Sequence, residues 1–443
     1  MSSPASPSSA QRNPSVQGQS REERKILGAT LVGTTIEWYD FFIYAQAAGL
    51  VFATQFFGPA SSDNATLAQI ISWATLGISF LFRPLGAIVA GHVGDQYGRK
   101  VVLSGTLILM GLSTALIGLL PTHQSIGIAA PILLIILRIV QGFSAGGEWG
   151  GAALLAVEHA PKGKRGLYGS YPQIGVPAGL TAATVVLLLL TTIFGKEAYV
   201  EWAWRIPFLI SVVLVVIGAI IRFRVSESPV YEEIRERADE SSAPLGEMMR
   251  DHFGTVVTAA FIFAANNACG YMIIAFMGAY ATKTLGLPQT QVFSAVIVAA
   301  LLWAVLTLWS GSLSDKIGRV RTFSIGYVIL FICVLPVWML IDQANIWMFA
   351  AALIIFVPGL ALSYGPQSAL YAEMFPRSVR FSGVSVGYAL GAILGGAFAP
   401  MIAELLMDTF GGTWAIGVYL MILCAISLVA LAVTPRDLEK QEL

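Results

Sequence analysis

Five ionisable side chains lie deep inside apolar stretches of this 443-residue chain, where a charge is costly and is retained for a reason. Glu37 and Asp40 are in the first stretch, Arg83 is in the second, and Arg138 and Glu148 are in the fourth. At about 1.5 Å of rise per residue, Glu37 and Asp40 fall roughly 16–21 Å from the end of their stretch near Ile26. Arg83 falls about 18 Å from Asp95, and Glu148 about 15 Å from Glu158. Four charges from three stretches therefore converge near one depth, with Arg138 about 15 Å farther along the fourth. Glu37, Asp40 and Tyr44 follow i, i+3, i+7 spacing and share a helix face, as do Arg138, Gln141 and Glu148.

Three acids against two arginines leave a carboxyl in excess. In a low dielectric an unmatched carboxylate favours its protonated form, so it suits reversible proton binding. Arginine presents a planar fork that matches a carboxylate with two parallel hydrogen bonds. Asp40 or Glu148 is the expected proton site, with Glu37 a further candidate, and Arg83 or Arg138 the expected holder of a substrate anion. The competing reading is that these ions only tie neighbouring helices together.

The second half of the chain has no acid or base in the middle of its stretches. Its candidates are neutral: Asn266, Asn267 and Tyr271, then Tyr364, Gln367, Ser368 and Tyr371, then Tyr388. Tyr168, Tyr171 and Gln173 have the same character in the fifth stretch. Hydroxyls and amides could recognise ligand hydroxyls or a ring, and interhelical hydrogen bonding would use the same groups.

These residues need a scaffold, and composition supplies its class. The chain is 56% hydrophobic and 12% charged, about half the charge of a soluble domain. Apolar stretches of about 20 residues mark transmembrane helices. Twelve are predicted, near 27–57, 68–93, 101–120, 127–157, 167–194, 204–222, 255–282, 291–313, 322–341, 345–372, 382–407 and 413–433. A β-barrel would alternate in runs of about ten residues, which these stretches do not do. Lys and Arg concentrate at one set of ends (Arg99, Lys100, Lys164, Arg165, Arg222, Lys316, Arg319, Arg377, Arg380), which predicts that side, and both termini, to be cytoplasmic. The equal totals of 26 basic and 26 acidic residues average over two unlike faces.

The predicted organisation is a disordered tail (1–24), a six-helix bundle (25–223), a solvated cytoplasmic connector (224–253), a second six-helix bundle (254–434) and a short tail (435–443). The Ser/Pro/Gln-rich start lacks the apolar core of a signal peptide. Four scattered histidines and three cysteines within the stretches show no metal-ligand spacing, and no phosphate-binding P-loop string occurs, so metal and ATP chemistry are not expected.

Two short strings repeat. Gly91, Asp95, Gly98 and Arg99 recur as Gly311, Asp315, Gly318 and Arg319, 220 positions later. Glu158, Pro161 and Arg165 recur as Glu373, Pro376 and Arg380, 215 later. Two matches at nearly one offset imply two related halves in a membrane, the usual build of a secondary carrier. Glycines at every fourth position, Gly142, Gly146 and Gly150, then Gly383, Gly387, Gly391 and Gly395, allow close helix contact.

The repeated strings resemble the cytoplasmic-loop motif of the major facilitator superfamily, and the resemblance spans residues 25 to 435. Glu37-Trp38-Tyr39-Asp40-Phe41, Phe82-Arg83-Pro84-Leu85-Gly86, Arg138-Ile139-Val140-Gln141-Gly142, Gly146-Gly147-Glu148-Trp149-Gly150 and Trp204-Arg205-Ile206-Pro207-Phe208 are similar to its metabolite:proton symporter family. Glu373-Met374-Phe375-Pro376 and Gly383 to Tyr388 look most like the shikimate-carrier branch. The resemblance implies an all-α integral membrane protein of twelve helices in two pseudo-symmetric six-helix bundles, with helices 1, 4, 7 and 10 around a central cavity. It implies no enzyme activity and no cofactor besides a proton gradient. It also implies that Asp95, Arg99, Glu158, Arg165, Asp315, Arg319, Glu373 and Arg380 form a cytoplasmic latch.

The expected function is proton symport of a small organic acid, such as shikimate or a related carboxylate, into the cell across an inner membrane. The protein would act as a monomer in the lipid bilayer, without nucleic acid. Asn267, Tyr271, Tyr364 and Gln367 would join Arg83, Arg138, Tyr44, Gln141 and Gln173 around the substrate. A proline/betaine carrier is the alternative, and a non-transporting sensor a more distant one. The long coiled-coil tail of the osmosensing carriers has no counterpart here, since the chain stops at Leu443, so osmosensing by that route is not expected.

Overall fold

The computed structural model describes residues 14–58, 64–97, 99–224 and 244–435, and among these no strand occurs. Helix α1 (Pro14–Ala47) continues without interruption into a π-helical segment, Ala48–Phe57. Its start lies inside the tail expected to be disordered. Proline is tolerated in a first helical turn, and the polar run after it contains no second proline to stop a helix.

The remaining spans are α2 (Ala65–Tyr97), α3 (Arg99–Leu119), α4 (Ala129–Glu158), α5 (Arg165–Phe194), α6 (Arg205–Arg224), α7 (Phe253–Lys283), α8 (Gln289–Ile317), α9 (Arg319–Ile341), α10 (Ile346–Met374), α11 (Arg380–Phe410) and α12 (Trp414–Ala432). A short segment, Lys196–Ala203, meets α6 at 60°. Within the expected connector, an eight-residue helix covers Pro244–Asp251.

Local sequence explains the irregularities. A 3₁₀ turn at Ala145–Gly147 interrupts α4 immediately before Glu148. Helices α7 and α11 carry π-helical turns at Met272–Phe276 and Ile393–Ala397, features often found at functional sites. Between α8 and α9 the chain turns on Gly318 at φ +102°, a conformation that favours glycine, and Arg319 then opens α9. Asn345 caps α10, its Oδ1 accepting from the Trp347 amide at 2.8 Å.

The glycine rows mark close helix contacts within each half. A Cβ added at Gly142 would stand 2.0 Å from the Ser79 carbonyl oxygen, so α4 rides directly on α2. In the second half a Cβ at Gly395 would stand 1.9 Å from the Ala264 carbonyl, which seats α11 on α7 in the same manner. Between the halves, α5 runs along α8, and α2 packs against α11.

We call the end of the bundle carrying Arg165, Arg319 and Arg380 the basic face. The halves touch near both ends. At the opposite face Lys283 Nζ donates to Gln69 Oε1 at 3.1 Å, and a Cβ at Gly77 would stand 2.4 Å from the Phe398 ring. A narrow gap with room for about one water remains toward that face, lined by Gln46, Leu50 and Thr184 from one half and by Ile273, Ala279 and Phe293 from the other.

Candidate functional site

Arg83 is the centre of the site. Its side chain is 2% exposed, and Pro84 follows it within α2. The guanidinium carbon stands 4.3 Å from the Phe41 ring centroid, 4.5 Å from Phe80 and 5.6 Å from Trp38, cation–π contacts that hold a positive charge in an apolar interior. Nε and Nη2 have no hydrogen-bond partner among the described residues. Rings support the charge while donors in the guanidinium plane remain available, which suits two-point capture of a carboxylate.

Side chains from the other half complete this centre. Arg83 lies within electrostatic reach of the Tyr271 and Tyr388 hydroxyls, and Glu37 within reach of Tyr271, Tyr364 and Tyr388. Tyr271 packs edge-on against Phe80, with centroids 5.6 Å apart. The Tyr271 hydroxyl, Asn267 Nδ2, Gln367 Nε2, Ser368 Oγ, Ser385 Oγ and the Tyr388 hydroxyl are all buried without a hydrogen-bond partner among the described residues. A buried orphan polar group costs roughly 1–3 kcal/mol, and several together are a signature of a site that meets water or ligand during its working cycle.

Arg138 is held differently. Nη2 donates to Ser79 Oγ at 2.7 Å and to the Leu76 carbonyl at 3.2 Å, Nε donates to the Thr75 carbonyl at 3.4 Å, and Nη1 donates to Gln141 Oε1. Its guanidinium lies 3.7 Å from the Tyr44 ring centroid, and the Tyr44 hydroxyl shares a 2.6 Å hydrogen bond with Thr75. Of the two arginines read as alternatives, Arg138 is thus tied into the first bundle, whereas Arg83 keeps free donors.

Asp40 also turns into the first bundle, although helix periodicity grouped it with Glu37. The Ser211 hydroxyl donates to one carboxylate oxygen at 2.5 Å and Thr114 to the other at 3.2 Å. No Lys or Arg pairs with Asp40 within 4.0 Å among the described residues. Gln141 Nε2 donates to Thr114 Oγ1 at 2.8 Å, so a chain runs Asp40–Thr114–Gln141–Arg138. Spacing along α1 could not reveal this, because Thr114 and Ser211 belong to α3 and α6. Glu148 is 5% exposed at the restart of α4.

Gln173 stitches the halves together. It accepts from the Trp149 indole at 3.0 Å and donates to the Tyr364 carbonyl at 3.2 Å and to Gln367 Oε1 at 3.3 Å. Trp149 stacks on Tyr388 with centroids 3.7 Å apart and planes 11° apart. Asn266 is structural, its amide donating to the Leu360 carbonyl and to Ser363.

Six of the eight residues of the expected latch can be traced at the basic face. Asp315 accepts from the Gly166 amide at 2.8 Å and the Leu167 amide at 2.9 Å, capping the N-terminus of α5 from the other half. Arg319 binds Asp315 at 2.8 Å and Glu373 at 3.4 Å, and Arg165 reaches the same Glu373 oxygen at 3.9 Å. Arg380 donates to the Phe375 carbonyl and lies within electrostatic reach of Glu158 and Glu373. The side chains of Asp95 and Arg99 lie outside the described residues.

Two helical halves closed over a buried charged centre and joined by separable polar contacts define a secondary carrier. The chain belongs to the Major Facilitator Superfamily, whose model matches residues 30–387. It is 39% identical over 415 residues to the inner membrane metabolite transport protein YhjE of Escherichia coli, covering 93% of each chain. It is 37% identical to the shikimate transporter of the same organism, covering 92% of this chain and 93% of that one. Against a proline/betaine transporter of Salmonella typhimurium the identity is 31%, over 92% of this chain and 82% of the relative. The partially occluded, inward-open structure of the Escherichia coli xylose transporter XylE superposes with a TM-score of 0.75 at 15% identity, over 96% of this chain and all of that one (100%). The protein is therefore a multi-pass membrane transporter and not an enzyme.

Proposed function

We propose that the protein is a proton-coupled symporter importing a small organic acid by alternating access, with the basic face cytoplasmic. The observation that carries this reading is Arg83: a buried guanidinium braced by Phe41 and Phe80, with two unpartnered nitrogens at the junction of the halves. Arg83 holds the substrate carboxylate. Tyr271, Asn267, Gln367 and Tyr364 meet the rest of the molecule, consistent with a hydroxylated acid of the shikimate kind.

Asp40 takes the coupling proton. It is a buried carboxyl held by two hydroxyls and, among the described residues, by no cation, and such a group carries a proton more easily than a bare charge. The Thr114–Gln141 chain links its state to Arg138, Tyr44 and the wall of the site. Glu37 and Glu148 shape the field around Arg83, and the latch at Asp315, Arg319 and Glu373 must open for release to the cytoplasm.

Purified protein in proteoliposomes tests the reading. Under an inward proton gradient, accumulation of radiolabelled shikimate or another hydroxylated carboxylate is expected, and dissipating the gradient should abolish it. Neutralising both Asp40 and Glu148 should remove accumulation, and full accumulation in that double variant refutes the proton assignment. Thermal stabilisation by betaines and by no carboxylate would instead establish an osmolyte carrier.

A further inference from the structure

An aromatic column crosses the molecule beside Arg83. Trp149 of α4 lies face to face with Tyr388 of α11, and Tyr388 stacks in turn on Phe263 of α7, with centroids 4.7 Å apart and planes 22° apart. The two neighbours of Tyr388 belong to different halves.

The column has a fixed member and a poorly anchored one. The Trp149 indole is locked by its hydrogen bond to Gln173, and Gln173 is itself tied to α10. Tyr388 is held less firmly: its buried hydroxyl lies beside the Tyr364 hydroxyl but makes no well-formed hydrogen bond among the described residues. That hydroxyl points into the charged centre, within electrostatic reach of Arg83 and Glu37. Ser385, one turn before Tyr388 on α11, also has an orphan hydroxyl, and a Cβ added at Gly150 would stand 2.2 Å from it. The contact between α4 and α11 therefore has no spare room when closed, and the Tyr388 ring fills the space over Trp149.

We propose that Trp149 and Tyr388 form a ring-selective clamp: the ring of a cyclic carboxylate takes the place of Tyr388 against Trp149 while its carboxylate sits on Arg83. This rests on the carboxylate-carrier reading above and narrows its substrate class to ring-bearing acids. A flat or half-flat ring recovers the stacking contact that Tyr388 gives up, and its hydroxyls meet the orphan groups of Tyr388 and Ser385. An acyclic acid of equal charge satisfies Arg83 and leaves the displaced Tyr388 ring uncompensated. Preference for rings then comes from Tyr388 and Trp149, and preference for anions from Arg83.

The test is ligand binding to the purified full chain, by thermal shift and by tryptophan fluorescence, using shikimate and benzoate against butyrate and hexanoate. Wild type should bind the cyclic acids at least tenfold more tightly. Trp149→Leu should erase that preference, because no indole face is left for the ring, while the acyclic affinities do not fall. Tyr388→Leu, which frees the indole face, should keep the preference, as should Tyr388→Phe, the milder change should a leucine variant fail to fold. The fluorescence difference between wild type and Trp149→Phe should respond to cyclic acids and not to butyrate. If Trp149→Leu keeps the preference, or the Trp149 signal ignores cyclic acids, the clamp is wrong and the carboxylate site stands. If no carboxylate binds wild type, the parent reading fails and the clamp fails with it.

Discussion

The Asp315 carboxylate is held by Arg319 at 2.8 Å across the Gly318 turn, and its two oxygens also receive the first free amides of α5, at Gly166 and Leu167. One side chain thus satisfies a helix N-terminus in the opposite half, where a negative charge is favoured, while its own arginine holds it in orientation. Closure of the basic face depends on this bridge. In Asp315→Asn the charge is lost and at most one amide keeps a good acceptor. Charge-assisted bonds of this kind contribute about 1.5–3 kcal/mol, so we expect the open population to rise about tenfold or more. In a background lacking Cys269, Cys333 and Cys424, a Ser170→Cys probe should react correspondingly faster with a membrane-impermeant maleimide applied to the basic face. An unchanged rate removes Asp315 from the latch.

A steric route leads to the same state. A Cβ at Gly311 would stand 2.6 Å from the Gly166 carbonyl and 2.7 Å from the Ser170 side chain, at the crossing of α5 and α8. Backbone atoms form part of that contact, so the helices must separate to admit a methyl group. Overpacking typically costs about 1–3 kcal/mol. Gly311→Ala should therefore widen the α5–α8 separation at the basic face, read as a longer distance between spin labels on the two helices. If the distance distribution is unmoved, close approach at this crossing does not control closure.

Arg83 and Arg138 should respond to the same substitution in opposite ways. Arg138 donates to Ser79, Gln141 and two carbonyls, so Arg138→Gln strands several buried acceptors and should lower the melting temperature by several degrees. Arg83→Gln removes a guanidinium with unpartnered nitrogens, so it should leave the melting temperature within about 2 °C and abolish stabilisation by carboxylates. Arg83→Lys should recover little, because an ammonium cannot make the two-point contact. The reverse pattern, an unstable Arg83→Gln and a stable Arg138→Gln, contradicts the division of roles.

Depth and class were legible in the sequence, and direction was not. Counting residues puts Glu37 and Arg83 near one level because helical rise is nearly constant, and both come within electrostatic reach of Tyr271 and Tyr388; the repeated Asp-to-Arg strings marked Asp315 and Arg319 because an ion pair across a tight turn has a fixed spacing. Asp40 and Glu37 sit three residues apart on one helix, yet Asp40 bonds to α3 and α6 while Glu37 approaches α7, α10 and α11. Periodicity assigns a broad face, and which neighbour lies beyond it is a tertiary fact. Tyr388 stands among the neutral candidates of the second half, but its pairing with Trp149 is hidden in the sequence for a related reason. Each reads as ordinary aromatic packing until the opposite half brings them face to face.

The least direct inference, that Asp40 carries the proton, can be separated from its role in packing. Asp40→Asn is nearly isosteric and can still accept from Ser211 or Thr114, so the bundle should fold and the substrate site should persist. We expect exchange of labelled for unlabelled substrate, which needs no net proton movement, to remain within about threefold of wild type. Accumulation against a gradient should fall at least tenfold. A purely structural Asp40 would depress both assays together, through lost protein, and a bystander would depress neither. Glu148→Gln in the same pair of assays separates the two acids: because Asp40 alone sits in the Ser211–Thr114 cage, Glu148→Gln should reduce exchange as much as accumulation. If instead Glu148→Gln uncouples the carrier and Asp40→Asn does not, the proton belongs on α4.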